Sequence, residues 1–247
     1  MTQMYTLKGE DEIFNDEIHK IFQDRSSKIT GHDPWRYGEQ LSLLTDEIEF
    51  NWLKKNFDYN DEDVIIDIGC GTGRHVQMMA QEFKAKKIIG CDFIQKNIDF
   101  LRLMIEENEL ENVEGVVCSG VDFSEHVGVE RCNYIIAIGL VQYLVTDGEL
   151  QQFVDCCEKL LQKGGSVILK HPLSSVPSYI KDYVREEMDT RYIAKYHDLN
   201  DLMKPFLSKF ELMKIERTFT IQNSGVYLEK IESDERARQM WIHLVKK

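Results

Sequence analysis

The sequence from Val64 to His75 constrains the fold of this chain more than any other stretch. Apolar residues surround Asp67, which is typical of a strand buried in a parallel sheet. The glycines that follow let the backbone turn sharply, and apolar residues then recur at the spacing of one helical face. The pattern therefore predicts a strand, a glycine loop and a helix that begins directly after the loop. The loop glycines are Gly69, Gly71 and Gly73, and the helical face comprises Val76, Met79, Ala80 and Phe83.

This predicted unit has the form of a nucleoside-binding turn, in which the amides of the helix face the bound molecule. Its glycines are spaced G-x-G-x-G, whereas the dinucleotide fingerprint is G-x-G-x-x-G. Asp67 stands two positions before the loop. A carboxylate there would repel a pyrophosphate and favour a ligand that carries an ammonium and a sulfonium. Gly-rich loops occur in many folds, so an NAD-binding protein and a ligandless structural turn are the alternatives at this point.

The acidic residue followed by G-x-G-x-G resembles the first motif of the class I S-adenosylmethionine-dependent methyltransferases. The resemblance covers roughly residues 60–247. It implies a doubly wound α/β fold with N-terminal helices and a seven-stranded, mostly parallel sheet in the order 3-2-1-4-5-7-6, in which strand 7 is antiparallel. It also implies S-adenosylmethionine as the cofactor, and a cofactor site that begins with Asp67, Gly69, Cys70, Gly71 and Gly73.

A second predicted strand begins at Lys87 and ends in the carboxylate of Asp92. This residue comes 19 positions after Gly73, where a nucleoside-binding βαβ unit has the acid that accepts hydrogen bonds from both ribose hydroxyls. The alternative is an ordinary helix cap, because a helical face starts shortly afterwards. The loop and this spacing together favour ribose binding, and Phe93 is then expected beside the adenine.

The third predicted strand runs from Val113 to Cys118, and a short polar loop follows it. The resembled methyltransferases usually carry Gly-Asp and a small residue here, and this Asp binds the adenine amino group. Register gives Ser119 at that position in this chain. Either the Ser119 hydroxyl substitutes for the carboxylate or Asp122 reaches back to the same place. The adenine contacts implied by the resemblance are therefore Ser119, Gly120, Val121 and Asp122.

The fourth predicted strand spans Cys132 to Gly139, and the loop after it begins with Leu140. Ligands of open parallel sheets lie beyond the carboxyl ends of the strands, so Gly139 and Leu140 are expected at the cofactor. Nucleic-acid and protein-amide methyltransferases often carry Asn-Pro-Pro-Tyr here, and this chain lacks it. Gln142 and Tyr143 are therefore interpreted as contacts for a small-molecule acceptor. The alternative for Tyr143 is simple packing under the next helix.

The fifth predicted strand, from Ser166 to Lys170, is followed directly by His171. This histidine is expected at the carboxyl end of the strand, facing the crevice, and its expected titration is near neutral pH. It is the first candidate for a base that removes a proton from the acceptor, although a lone histidine is more often structural. Tyr143 and His197 are the next catalytic candidates, and an amine acceptor that reacts unprotonated needs no base.

Two segments outside the predicted sheet are candidates for covering the site. Residues 1–60 are a predicted helical cap section, and Tyr37 in its central turn is expected to line the cofactor site if the section closes over it. The alternative is a connector with Trp35 packed on the core. Residues 172–197 lack clean periodicity and are expected to form a lid on the acceptor side. The apolar stripes of the cap section are Phe14, Ile18, Ile21 and Phe22, then Leu41, Leu44, Ile48 and Trp52.

Length and composition limit the function classes further. The 247 residues suffice for one decorated α/β domain, so 1–247 is expected to be a single domain. A net charge of −13 disfavours a surface for nucleic acid or anionic lipid. The six cysteines form no C-x-x-C pair, which favours buried thiols in a reducing compartment. With no apolar signal core and no membrane-length stretch, we expect a cytoplasmic protein without a metal site, a nucleic-acid partner or a membrane partner.

These features favour an enzyme that moves the methyl group of S-adenosylmethionine to an oxygen or nitrogen of a small-molecule metabolite, with specialised biosynthesis as one setting. An NAD(P)-dependent oxidoreductase of doubly wound fold is the second hypothesis. The glycine spacing, Asp67 and the lack of a Tyr-x-x-x-Lys set disfavour it. A third hypothesis is a methyltransferase fold that binds cofactor or a partner protein without turnover.

Overall fold

The computed structural model describes residues 11–27, 39–185, 190–218, 220–223, 228–231 and 236–247. The strands in these ranges are β1 (Val64–Ile68), β2 (Lys87–Asp92), β3 (Val113–Val117), β4 (Cys132–Ile138), β5 (Leu161–Ser174), β6 (Tyr179–Arg185), β7 (Thr190–Tyr196), β8 (Phe210–Arg217), β9 (Thr220–Asn223), β10 (Leu228–Ile231) and β11 (Ala237–Lys246). The helices are α1 (Asp11–Ser27), α2 (Glu39–Asn56), α3 (Arg74–Glu82), α4 (Gln95–Glu107), α5 (Asp147–Leu160) and α6 (Leu199–Met203), with short 3-10 turns at Phe123–Glu125 and Val141–Tyr143.

One large sheet has seven strands in the order β3-β2-β1-β4-β5-β11-β8. Strands β1 to β5 pair in parallel, and β11 is antiparallel to both of its neighbours, β5 and β8. Counted along the chain among these seven strands, the order is 3-2-1-4-5-7-6, so the predicted fold is confirmed. The other strands pair as two antiparallel hairpins, β6 with β7 and β9 with β10.

Helices cover both faces of the large sheet, which explains why its central strands are apolar on both sides. One face packs against α5 and α6 through buried side chains that include Phe153 and Leu202. The opposite face packs against α2 and α3 through Leu53 and Met79. The strands β1 to β5 therefore present their carboxyl ends along one edge between the two helical layers. No helix in the described part of the chain combines the length and the apolar character needed to cross a membrane.

The predicted strand, glycine loop and helix are present as β1, the loop 69–73 and α3. The N–H groups of Gly69 and Cys70 both donate to the carbonyl of Cys91 in β2, at 2.8 and 2.9 Å. Gly73 adopts a φ of +88°, and a Cβ at this position would lie 2.5 Å from Cδ1 of Leu101 in α4. The turn is therefore held against both β2 and α4, and Gly73 is the position where a side chain does not fit.

Strand β5 is longer than predicted, which changes the setting of His171. The prediction ended this strand at Lys170, whereas β5 continues to Ser174. The extension exists because β11 pairs with β5 in antiparallel register from Ser166 to Ser174. His171 consequently lies within the strand and not beyond its end.

On α2 the buried face differs from the predicted apolar stripe. The side chains of Leu41 and Leu44 lie outside the described residues, and Ile48 and Trp52 are only half-buried. The prediction missed this face because two of its members are carboxylates, which a hydrophobic pattern does not count. Among the α2 residues whose side chains the structure describes, the buried ones are Thr45, Asp46, Glu49, Phe50 and Leu53.

The segment 172–197, predicted as a lid, contains the β6–β7 hairpin. Its four tyrosines form cross-strand pairs, Tyr179 with Tyr196 and Tyr183 with Tyr192. Strands have a side-chain period of two, so this segment shows no helical periodicity. Ile193, on the other face of β7, packs in a cluster with Ile18 of α1. The hairpin therefore lies against α1.

Gly73→Ala should lower the free energy of unfolding by about 2–4 kcal/mol, because alanine is strained at positive φ and its Cβ would meet Leu101. Gly148→Ala in α5 is the matched control, since the nearest atom to its Cβ is Thr146 Oγ1 at 3.9 Å. Urea unfolding followed by circular dichroism measures both variants. A Gly73→Ala protein as stable as the wild type would contradict the tight turn.

Candidate active site

The loops that follow β1, β3 and β4 meet around Leu140. A Cβ at Gly69 would lie 3.2 Å from Leu140 Cδ1, and a Cβ at Gly120 would lie 3.2 Å from Leu140 Cδ2. Gly139 adopts a φ of +69°, and its N–H donates to the carbonyl of Lys170 at 3.0 Å. Three of the loops predicted to bind the cofactor are therefore close together at one edge of the sheet.

Asp92, the last residue of β2, connects the glycine loop to the start of α4. Its Oδ2 accepts a hydrogen bond from the N–H of Gly71 at 3.0 Å, and its Oδ1 accepts from the N–H of Ile94 at 2.8 Å and from Asn97 Nδ2 at 3.2 Å. Burial raises the pKa of Asp92, and these three donors oppose the rise. A carboxylate has about four lone-pair sites, so one site on Oδ2 is available to a ribose hydroxyl. The N-cap of α4 is Ile94 and has no side-chain cap hydrogen bond, so Asp92 supports the start of α4 through Ile94 and Asn97 without being its N-cap. Ribose binding stays a prediction.

Phe93, predicted beside the adenine, lies against α1. Its ring is stacked on His19, with centroids 4.6 Å apart, and meets the edge of Phe22 at 5.7 Å. Phe22 also packs edge-on against Tyr143, at 4.7 Å between centroids. Helix α1 therefore contacts both the residue predicted at the adenine and the residue predicted at the acceptor.

In the loop after β3, the structure shows how Asp122 lies relative to Ser119, the two alternatives for the adenine contact. Asp122 Oδ1 accepts a hydrogen bond from the backbone N–H of Ser119 at 2.9 Å, so this carboxylate does reach back to the position of Ser119. The Ser119 hydroxyl accepts from the N–H of Val121 at 3.4 Å. Which of the two side chains binds adenine stays a prediction.

Asp67 is buried beneath the glycine loop, with 2% of its surface exposed. Burial raises the pKa of this carboxyl group to about 6, and the neighbouring His75 and Arg74 partly oppose the rise. Its Oδ2 atom is buried and accepts no hydrogen bond from the residues that the structure describes. A desolvated carboxylate oxygen of this kind favours a cationic donor, such as an ammonium group.

A network of buried charges beside Asp67 was missed by the sequence analysis. Asp46 and Glu49 of α2 pair with Arg74 of α3 and Lys170 of β5, respectively. His75 Nε2 lies 3.0 Å from Glu49 Oε2. Asp46, Glu49 and His75 have ligand atoms within 4.8 Å of one another, but Arg74 and Lys170 already balance the two carboxylates. The only sequence signal was a pair of acids three residues apart next to an apolar face.

The residues predicted to contact the acceptor are an aromatic and a neutral polar side chain. Tyr143 is half-buried and packs edge-on against Tyr192 of β7, at 6.0 Å between centroids. Gln142 is buried, and its Oε1 has no hydrogen-bond partner within the described ranges. Tyr143 therefore packs against the hairpin as well as α1, so its catalytic role stays a prediction.

His171 and His197, the other catalytic candidates, are both buried. Burial lowers the pKa of His171 well below its usual value and lowers that of His197 to about 4. The expected titration of His171 near neutral pH is therefore wrong, because its ring is desolvated inside β5. The two rings face each other, with His197 Nδ1 3.4 Å from His171 Nε2.

Tyr37 and Trp35 lie outside the described residues. Cys70 and Val121 are half-buried in their loops, and burial raises the pKa of the Cys70 thiol. All six cysteines are free thiols.

A parallel sheet with an acid, a G-x-G-x-G loop and a second acid at the end of the next strand defines a nucleoside-binding α/β protein of the Rossmann-like class. Residues 65–165 match the family model described as "Methyltransferase domain". The chain therefore contains a class I S-adenosylmethionine-dependent methyltransferase domain, and S-adenosylmethionine is the cofactor of this class.

Similar proteins include both RNA and small-molecule methyltransferases. Ribosomal RNA small subunit methyltransferase G of Thermotoga petrophila is 29% identical over 118 residues, which are 48% of this chain and 46% of that protein. The ubiquinone biosynthesis O-methyltransferase of Acinetobacter baylyi is 20% identical over 175 residues, which are 70% of this chain and 69% of that protein. This chain spans less than half the length of the first RNA methyltransferases that it matches.

A solved structure of the same fold is the 1,6-didemethyltoxoflavin-N1-methyltransferase of Burkholderia thailandensis, with bound 1,6-didemethyltoxoflavin and S-adenosylhomocysteine. Its TM-score is 0.65, at 14% sequence identity, and the match covers 100% of this chain and 94% of that chain.

Asp67→Asn should stabilise the protein without cofactor at pH 7. Because the pKa of Asp67 is raised on folding, the folded protein binds this proton more tightly than the unfolded chain does. Stability therefore falls as the pH rises from about 4 to about 6, and the full penalty is present above that range. The variant should lose this part of the pH dependence and gain about 1–3 kcal/mol in free energy of unfolding at pH 7.

Urea unfolding at pH 4.5, 6 and 7.5 measures this effect. Glu107→Gln, an exposed acid at the end of α4, is the matched control and should change little. If Asp67→Asn were equally destabilising at every pH, Asp67 would not carry a raised pKa.

Proposed function

We propose that this chain transfers the methyl group of S-adenosylmethionine to an oxygen or nitrogen of a small-molecule metabolite. The observation that carries the proposal is the contrast between the two sides of the site. Buried charges gather beside Asp67, where a charged amino-acid group of the cofactor fits. The groups around Tyr143 are aromatic or neutral, which suits a small acceptor with little charge.

Each residue predicted to bind the cofactor is assigned to one chemical group of S-adenosylmethionine. The free Oδ2 of Asp67 fits the ammonium of the methionine part, and Asp92 fits a ribose hydroxyl. Phe93 and the loop 119–122 are assigned to the adenine, and the backbone at Gly139 and Leu140 to the region of the sulfur. Gly69, Cys70, Gly71 and Gly73 form the turn that lets the chain approach the cofactor closely.

S-adenosylmethionine supplies a methyl group on a sulfonium that is already activated for displacement. The residues of this chain mainly have to hold the acceptor in line with that methyl group and exclude water. Tyr143 and Gln142 are assigned to orienting the acceptor. Helix α1 and the β6–β7 hairpin, which pack on each other and on Tyr143, are assigned to excluding water.

The net charge of the chain and the aromatic cluster around Tyr143 both favour a small-molecule acceptor over RNA. The net charge of −13 opposes binding of a phosphate backbone, which relies on lysine and arginine contacts. The cluster of α1, Tyr143 and the hairpin is aromatic, and the hairpin cations Arg191 and Lys195 are already paired with acids. The relative that matches the largest share of this chain among those above is named for O-methylation in ubiquinone biosynthesis. The free thiols are consistent with a cytoplasmic setting.

S-adenosylhomocysteine at about 100 times its Kd should raise the melting temperature by about 5 °C or more, because it binds only the folded state. NADH at the same concentration should not change it. Thermal unfolding followed by fluorescence measures both shifts. A shift with NADH and none with S-adenosylhomocysteine would reject the cofactor assignment.

The acceptor half of the proposal is tested with methyl-labelled S-adenosylmethionine. The acceptors are a panel of small phenols and heteroaromatic N–H compounds, with ribosomal RNA in parallel. Label in a small molecule supports the proposal, and label only in RNA rejects it. Binding of S-adenosylhomocysteine with no label in any acceptor would favour a protein that binds cofactor without turnover.

Asp92→Ala should weaken the binding of S-adenosylhomocysteine by about 1–3 kcal/mol, or roughly 5- to 150-fold in Kd. The loss combines a missing ribose hydrogen bond with a loosened contact to the N–H of Gly71. Isothermal titration calorimetry measures the Kd. Asp99→Ala, which removes an exposed carboxylate of α4, is the matched control. Unchanged affinity in Asp92→Ala would leave Asp92 only a structural role at the glycine loop and the start of α4.

A further inference from the structure

His171 of β5 and His197, which follows β7, form a buried pair of imidazoles. The two residues are 0% and 1% exposed, and His171 Nε2 and His197 Nδ1 lie 3.4 Å apart. Their outer atoms, His171 Nδ1 and His197 Nε2, find no hydrogen-bond partner anywhere in the described part of the chain. A buried polar atom without a partner costs about 1–3 kcal/mol. Among the described residues, these two atoms therefore leave two hydrogen-bonding positions unfilled, which a bound molecule or solvent can fill.

The facing nitrogens restrict where the protons of the pair can be. Two facing N–H groups would clash, and two facing lone pairs would repel each other, so one ring donates to the other. If His171 Nε2 carries the shared proton, His171 Nδ1 is a bare acceptor and His197 Nε2 is a donor. If His197 Nδ1 carries it, these outer roles are exchanged. Movement of the shared proton therefore transmits a proton from one end of the pair to the other.

The two ends of the pair have different surroundings. Strands β5 and β7 both contact the Val141–Tyr143 turn, where Gln142 Oε1 is also buried without a hydrogen-bond partner among the described residues. On the other side, the charged groups that act on His197 are Lys195 and the acids of the α5 and α6 starts, which are Asp201, Asp147 and Asp198. The pair therefore lies on two strands that contact this turn, and His197 is the member that lies near the acids.

We propose that His171 and His197 form a proton relay that carries the acceptor's proton from the methyl-transfer site to this acidic rim. The proposal rests on the proposed function and narrows it, because it requires an acceptor that has a proton to lose. The acceptor class is a neutral O–H or N–H compound whose hydrogen bond is donated to His171 Nδ1. Gln142 Oε1 is the neighbouring acceptor for a second polar hydrogen of the same compound.

The relay balances the reaction as follows. The acceptor atom forms its bond to the methyl carbon while the carbon–sulfur bond breaks and its electron pair stays on sulfur. The acceptor's proton moves to His171 Nδ1, and the shared proton moves from His171 Nε2 to His197 Nδ1. The proton on His197 Nε2 leaves to the rim and to water. After the product has gone, exchange with water at the two outer nitrogens restores the first arrangement.

A relay suits a buried pair better than a single base does. A desolvated imidazole is hard to charge, and burial lowers the pKa of both rings. In the relay each ring gains one proton as it loses another, so neither ring has to become a stable cation. His171 is then the catalytic residue that touches the acceptor, and His197 acts through it.

The relay is tested by long-range 1H–15N NMR of 15N-histidine-labelled protein with S-adenosylhomocysteine at pH 5.5–8. Both rings should be neutral and in the same tautomer, either both Nε2–H or both Nδ1–H, because a shared proton permits no other combination. His171→Asn and His197→Asn assign the signals, and His126, which is 48% exposed, is the internal control. Opposite tautomers, or a charged ring in this range, would overturn the relay.

Phenol serves as the probe for the acceptor end. With S-adenosylhomocysteine bound, phenol should shift the His171 Nδ1 signal and leave the His126 signals unchanged. A phenol effect on neither ring of the pair would overturn the assignment of that end.

For a protic acceptor found in the panel, His197→Asn should lower kcat at least about tenfold while the Kd of S-adenosylhomocysteine stays the same. His243→Asn is the control for losing a histidine in a neighbouring strand. Unchanged kcat in His197→Asn would overturn the relay and leave the methyltransferase proposal intact. If the wild type does not bind S-adenosylhomocysteine at all, the proposed function itself is rejected.

Discussion

The organisation of the cofactor side depends on the carboxylate of Asp92. It accepts hydrogen bonds from the glycine loop after β1 and from the first residues around α4, so it fixes two loops that belong to different strands. The relative position of these two loops has to be fixed if one nucleoside is to contact both of them. A side chain of this length at the end of β2 can do so because parallel neighbours end at the same edge of the sheet. The loop glycines leave space for a ligand close to the backbone, and the hydrogen bonds of Asp92 fix the relative position of the two loops.

Local patterns in the sequence were sufficient for β1, the glycine loop, α3 and the acid at the end of β2, because each depends on residues close together in the chain. The strand order came from the resemblance and is confirmed. The length of β5 could not be read locally, because its last residues are strands only through pairing with β11. The buried carboxylates of α2 were missed for a similar reason. Glu49 is acceptable in the core only because Lys170, 121 positions later, neutralises it.

The sequence does contain a pattern that predicts the hairpin of β6 and β7, namely the spacing of its tyrosines. Tyr179, Tyr183, Tyr192 and Tyr196 are placed symmetrically about the connection between the two strands, as the paired positions of an antiparallel hairpin must be. The histidine pair is different. Its two members come from a strand of the large sheet and from the end of the hairpin, and no spacing in the sequence indicates that their rings meet. Such a pair is visible only after the tertiary structure is known.

Helix α1 touches Phe93 through His19 and Phe22, and touches Tyr143 and the hairpin through Phe22 and Ile18. Helix α1 therefore borders both a residue predicted to bind the cofactor and a residue predicted to bind the acceptor. If binding of one ligand moves this helix, the second ligand does not have to provide the free energy for the same movement. Each ligand then changes the affinity for the other by the same factor. A helix in this position would couple loading of the donor to loading of the acceptor, if the two molecules bind at the predicted loops.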